Sequence, residues 1–92
     1  MPAPKGREVR DTVASLRLDA VLGAAFSLSR AQAQDAIRAG RVRVNHIEEI
    51  RTDVQLAEGA MLSLRGEGRA KLTQIGSLTR KGRTGIVIFR YE

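Results

Sequence analysis

The sequence predicts an α+β domain, a helical hairpin packed on a small, mostly antiparallel β-sheet. Three observations carry that prediction. Apolar residues recur at helical spacing between positions 18 and 40, the spacing drops to two directly after Gly40, and the chain closes on the strand-forming run IVIFRY. The 92 residues suit one domain, which buries roughly two-thirds of its unfolded surface.

Residues 1–7 hold Pro, Gly and Lys and are expected to be a flexible lead-in, with the domain proper running over 8–92. EVRDTVAS is expected to be a short strand. Leu18, Val21, Leu22 and Ala25 then fall at i, i+3, i+4 and i+7, which predicts an amphipathic helix ending near Phe26. A second helix is punctuated at both ends. Ser29 with Gln32 forms the S-x-x-Q capping-box pattern, and Gly40 stands where a C′ glycine belongs. Ala33, Ala36 and Ile37 supply its apolar face, while Arg30, Gln34 and Arg38 edge it at i, i+4 and i+8.

After Gly40, Val42 and Val44 face one way and Arg41 and Arg43 the other. Asn45-His46 suits a turn, because Asn tolerates left-handed backbone. Ile47 to Leu56 shows no consistent period. Glu58-Gly59 marks a further turn. MLSLR and KLTQI read as strands separated by GEG, and RKGRTG as a basic loop before the last strand, so the chain ends in a β-hairpin extension.

Composition excludes several classes. There is no cysteine, hence no disulfide framework or thiolate metal site. The sequence holds no apolar run of spanning length and no signal-peptide pattern at its start, so a soluble, cytoplasmic protein without membrane contact is expected. The net charge is +6 and the pI about 11.1. Residues 17–45 hold five arginines against two aspartates, residues 46–64 one arginine against four carboxylates, and residues 65–92 seven basic residues against two acidic. Two basic blocks flanking an acidic one point to an anion-binding face.

Catalysis finds little support. His46 is the single histidine, and the ten carboxylates do not gather with a second base at metal-ligand spacing. Glu48 and Glu49 are adjacent and on a strand would point to opposite faces. No catalytic residue, metal site, cofactor or small-molecule substrate is expected. GRTG at 82–85 matches the G-x-x-G of KH domains, but that clamp joins two helices and strands are expected here. Phe26, Phe89 and Tyr91 are the only aromatic residues, and all three are expected to serve packing rather than a base-stacking platform. Arginine remains, whose planar fork takes phosphate oxygens bidentately. Arg30 and Arg38 with Arg41 and Arg43 are expected to form one patch, joined by Arg17, with Asp19 capping or orienting Arg17 and with the second helix's N-terminus adding free N–H groups. Gln34 belongs to the same edge. Arg69, Lys71, Arg80, Lys81 and Arg83 either widen that footprint or touch a separate segment of the anionic partner.

RLDAVL, then SRAQAQDAIRAGRVRVN, then a turn and E-G before an apolar strand, resembles the S4 domain, an RNA-binding module. Its pattern is carried by Arg17, Leu18, Asp19, Leu22, Ser29, Arg30, Ala33, Ile37, Gly40, Val42, Val44 and Asn45. SLRGEGRAKLTQIGSLTRKGR and the strand ending in RY are similar to the C-terminal part of the YlmH-like, or photosystem-II S4-domain, family, so the chain resembles the C-terminal domain of a longer protein. The resemblance implies an S4-type helical hairpin that docks on structured RNA, either ribosomal RNA of the large subunit or tRNA on the ribosome, with no catalysis. It implies RNA contacts at Arg17, Arg30, Arg38, Arg41, Arg43 and the Asn45 turn. His46 stands where many S4 domains have Gly, which implies an altered turn or a pH-dependent contact, and Ala60 stands where Asp is common. Two alternatives are an RNA-targeting appendage of a longer enzyme such as a pseudouridine synthase, and a DNA-binding helix-turn-helix protein. Oligomeric state is left open.

Overall fold

A computed structural model describes residues 5–79 and 81–91, the side chains at 77 and 78 excepted. Strand β1 (Gly6–Val13) leads into helices α1 (Leu18–Phe26) and α2 (Arg30–Arg38). The rest is β: β2 (Val42–Val44), β3 (Ile47–Glu48), β4 (Met61–Leu64), β5 (Gly68–Leu78) and β6 (Thr84–Tyr91). The six strands form one sheet in the order β1-β6-β5-β4-β2-β3, and every neighbouring pair is antiparallel. The α+β fold predicted from periodicity is the fold observed.

The helices form where the punctuation placed them. Ser29 Oγ accepts the Gln32 N–H at 3.1 Å, and Gln32 Oε1 accepts the Ser29 N–H at 2.9 Å, which closes the capping box. At the other end Gly40 adopts φ +75°. The Gly40 N–H reaches the Ile37 carbonyl and the Arg41 N–H the Ala36 carbonyl, both at 3.1 Å, the paired bonds of a Schellman stop. Helix α1 ends at Ser27 in left-handed backbone, with the Leu28 N–H donating to the Gly23 carbonyl at 2.9 Å. A side chain at Gly23 would meet the Leu28 carbonyl oxygen at 2.9 Å, so glycine there lets the chain turn directly into α2.

The stretch without a period, Ile47 to Leu56, works largely through its backbone. The first N–H groups of α1 have no partner within the helix. Leu18 N–H donates to the Val54 carbonyl at 2.8 Å and Asp19 N–H to the Thr52 carbonyl at 3.2 Å, so this loop caps α1. Such pairing leaves no trace in side-chain spacing.

Leu18, Val21, Leu22, Ala25, Ala33 and Ile37 are buried against Val42, Leu62, Leu72 and Ile88 of the sheet. One sheet face carries the core and the other faces solvent. Strand β1 begins two residues before the expected strand, inside the expected lead-in. Gly6 and Arg7 are paired with Tyr91 and Arg90, a long-range register that local composition does not reveal. The GRTG segment lies in the turn and first residues between β5 and β6, the hairpin setting expected for it.

Asn45 and His46 form a two-residue turn, with Val44 paired to Ile47 and φ values of +52° and +71°. Asn45 is secured from both sides: its N–H donates to the Met61 carbonyl at 2.8 Å, and its Oδ1 accepts the Met61 N–H at 3.0 Å. His46 gains no such compensation for its left-handed backbone. His46→Gly is therefore expected to stabilise the domain by about 0.5–1 kcal/mol, a rise of roughly 2–8 °C in thermal midpoint. Calorimetry of the two proteins checks this, and an unchanged or lower midpoint would show that the histidine ring is held by other contacts.

Candidate nucleic-acid interface

Asp19 is the one buried charged residue among those described, its side chain fully excluded from solvent. Three of the expected site residues converge on it. Arg17 grips both carboxylate oxygens, Nε to Oδ1 at 3.2 Å and Nη2 to Oδ2 at 3.1 Å. Gln34 Nε2 donates to Oδ2 at 2.9 Å, and Arg30 Nε stands 3.6 Å from the same oxygen. Burial alone raises the carboxyl's pKa, but the hydrogen bonds from Gln34 and Arg17 and the charges of Arg17 and Arg30 outweigh it, and the net direction is down. Asp19 thus stays ionised and fixes the bases of two arginines whose side chains remain 35% and 56% exposed. The expectation that Asp19 orients Arg17 is met, and the orienting extends to Arg30 and Gln34.

Arg83 comes to the same place from the far end of the chain. Its Nε donates to Thr12 Oγ1 at 3.0 Å and its Nη2 to the Thr12 carbonyl at 2.7 Å, and it shares with Asp19 and Arg30 a concavity floored by Gly23 and Leu28. Part of the second basic block therefore adjoins the first.

Arg41 and Arg43 belong to a different hollow, on the solvent face of the sheet, which they share with His46, Glu48, Arg65 and Arg69. Register explains the grouping. Arg43 pairs with Ser63 and Ser63 with Arg69, so the side chains stand in one cross-strand row. Arg41 Nη2 donates to the Arg65 carbonyl at 3.1 Å. Lys71, on the same face, pairs with Met61 and Phe89. Arg65 was not among the residues expected from sequence. The available signal was its position directly after MLSL, whose partner strand carries Arg69.

The expected single patch is therefore distributed over two surfaces, one at the head of the helical hairpin and one on the open sheet. Arg38 is exposed in the last turn of α2, about 12 Å along the helix from Arg30. Lys81 is exposed in the β5–β6 turn, and Arg80 lies outside the described residues. Arg90 lies over the Phe26 ring at 4.9 Å and stands 3.8 Å from Glu67, which gives it a packing role. Among the described residues there is no cluster of three metal-ligating side chains, and no helix is long and apolar enough to cross a membrane.

A buried carboxylate holding arginines at the head of a capped helical hairpin, on a small antiparallel sheet, defines a basic α+β domain. Residues 16–48 match the family model of the S4 domain, and the chain carries an S4 domain over that segment. It is 42% identical over 86 residues to the ribosome-associated protein quality control protein P2 of Bacillus subtilis (strain 168), a match covering 92% of this chain and 34% of that protein. A solved pseudouridylate synthase structure is similar with a TM-score of 0.55 and 30% identity over 68% of this chain and 26% of that one. The chain thus spans about a third of the curated relative.

Proposed function

We propose that this domain is a non-catalytic RNA-docking module, acting in the cytoplasm on ribosomal RNA of the large subunit or on tRNA at the ribosome. The observation that carries the reading is the Asp19 cluster. Two arginines are held in place before any ligand arrives, so less side-chain freedom is lost on binding phosphate. Similarity to a ribosome-associated protein over most of the chain supports the ribosomal setting. The C-terminal strands that resemble the YlmH-like family support placement in that branch. Arg17, Arg30, Gln34, Arg38 and Arg83 form the hairpin-side contact surface, and Arg41, Arg43, the Asn45-His46 turn, Arg69 and Lys71 extend it onto the sheet.

A second reading, an RNA-targeting appendage of a modifying enzyme, is favoured by the similarity to a pseudouridylate synthase. A catalytic domain fused to this one in the intact gene product would establish it. Duplex-DNA reading by α2 is disfavoured, because Arg30 and Gln34 at its start already engage Asp19.

The test is co-sedimentation with separated ribosomal subunits, and with tRNA, over a salt series. Salt-sensitive association with one subunit or with tRNA is the expected result. Association with neither, under conditions where the domain is folded, would remove the ribosomal reading.

A further inference from the structure

We infer that the solvent face of the sheet is a second nucleic-acid site, one that takes an unpaired stretch of RNA by stacking a base on Tyr91 and placing phosphates on Arg43, Arg69 and Lys71. This goes beyond the docking function proposed above. It gives the sheet-side extension of that surface, together with Tyr91, a form of RNA of its own, and it fails or stands separately from the hairpin-side contact.

The face is open. The molecule measures 37 × 35 × 19 Å, and its thin dimension accommodates the sheet and a single helix layer of about 10–12 Å. Ile86 and Ile88 of β6 are buried toward the helices, so Phe89 and Tyr91 point to the opposite side, where both remain partly exposed. Their rings meet edge to face, with centroids 5.0 Å apart at 75°. The Phe89 ring lies over Gly6, where a side chain would collide with it at 2.6 Å, so its position is fixed from below. Tyr91 therefore has a rigid flank, and its own ring has the Arg69 guanidinium 5.8 Å from its centroid.

Charge selects the occupant. Arg43, Ser63, Arg69 and Tyr91 follow one another across β2, β4, β5 and β6, and Lys71 and Phe89 are paired neighbours in the adjacent row. Carboxylates lie at the margins of this face, Glu48 on β3 and Glu8 on β1, and Glu8 is engaged by Arg10 at 3.2 Å. Among the described residues, neither Arg43, Arg69 nor Lys71 takes part in an ion pair. A row of cations beside an aromatic ring fits a polyanion with accessible base faces. A duplex conceals those faces, whereas single-stranded RNA offers them.

The protein carries its own reporter, since Tyr91 is the only tyrosine and there is no tryptophan. Intrinsic fluorescence reports stacking, and isothermal titration calorimetry, which needs no tyrosine, reports the affinity of parent and variants. The intact protein is titrated with a 12-nucleotide oligouridylate, and in parallel with a 12-unit abasic ribose-phosphate oligomer of equal charge. Saturable quenching by oligouridylate is expected, with the abasic oligomer bound about tenfold more weakly and without quenching. Tyr91→Ala should bring the two affinities together, and Tyr91→Phe should retain the preference for bases. Equal affinity for both oligomers, binding without quenching, or no binding of oligouridylate would each overturn the inference. The oligomer comparison uses the unaltered protein, so it decides the matter even if Tyr91→Ala folds poorly. Failure here would leave the salt-sensitive ribosomal association of the helical hairpin unaffected.

Discussion

Asp19→Ala should lower the domain's stability by about 2–4 kcal/mol, the range for removing one member of a buried, hydrogen-bonded charge cluster. The loss combines the bidentate bond from Arg17, the bond from Gln34 and the nearby Arg30 charge. The two arginines keep partial access to water, which holds the cost below that of stranding a fully buried cation. A pH dependence accompanies it. Because folding lowers the Asp19 pKa, the folded state favours the ionised form, and that stabilisation is present above the carboxyl's ordinary value of 3.8. It disappears as pH falls through the lowered folded-state value. Urea unfolding between pH 7 and pH 3 should show this acid-dependent loss in the parent and a smaller one in Asp19→Asn. Identical pH profiles would mean that the cluster contributes nothing to folding.

The second large effect is electrostatic. If five phosphates are neutralised, a plot of log affinity against log salt should have a slope of roughly −4. Replacing Arg30 and Arg38 should make it shallower by about 2, measured with whichever RNA co-sedimentation identifies. From sequence, Arg30→Glu with Arg38→Glu is the natural variant, since both residues edge the apolar stripe. The structure recommends Arg30→Gln instead. A glutamate at position 30 would face the buried Asp19 carboxylate across the present 3.6 Å contact and confuse lost binding with lost stability. A slope close to zero in the parent would remove the phosphate-neutralisation account altogether.

The helices were legible because their signals are local. Ser29, Gln32 and Gly40 announce their positions within a single turn of chain, and the valines at 42 and 44 reveal the change of period directly. The role of 47–56 was not legible, because it caps α1 through the carbonyl groups of Thr52 and Val54, a group that every residue possesses. The arginines were legible as a group but their division was not. Arg41 and Arg43 follow α2 closely in sequence, yet β2 directs them to the side of the sheet away from the helices. Arg83 illustrates the converse, since 71 positions separate it from Thr12, whose hydroxyl and carbonyl it contacts. Phe89 and Tyr91 share a strand face, as the alternation indicates, but only the completed sheet shows that this face lies outside the core.

The pairing of β1 with β6 has a consequence for how the domain is made. Position 6 meets position 91 and position 13 meets position 84, so the domain's first strand finds its partner only when its last has emerged. Until then a nascent chain can assemble the helices and β2 to β5 from nearer contacts, while its earliest strand waits unpaired. Closing so long a loop raises the entropic cost of contact and slows folding relative to a locally wired fold of this size. Completion of this domain thus waits for its own last strand.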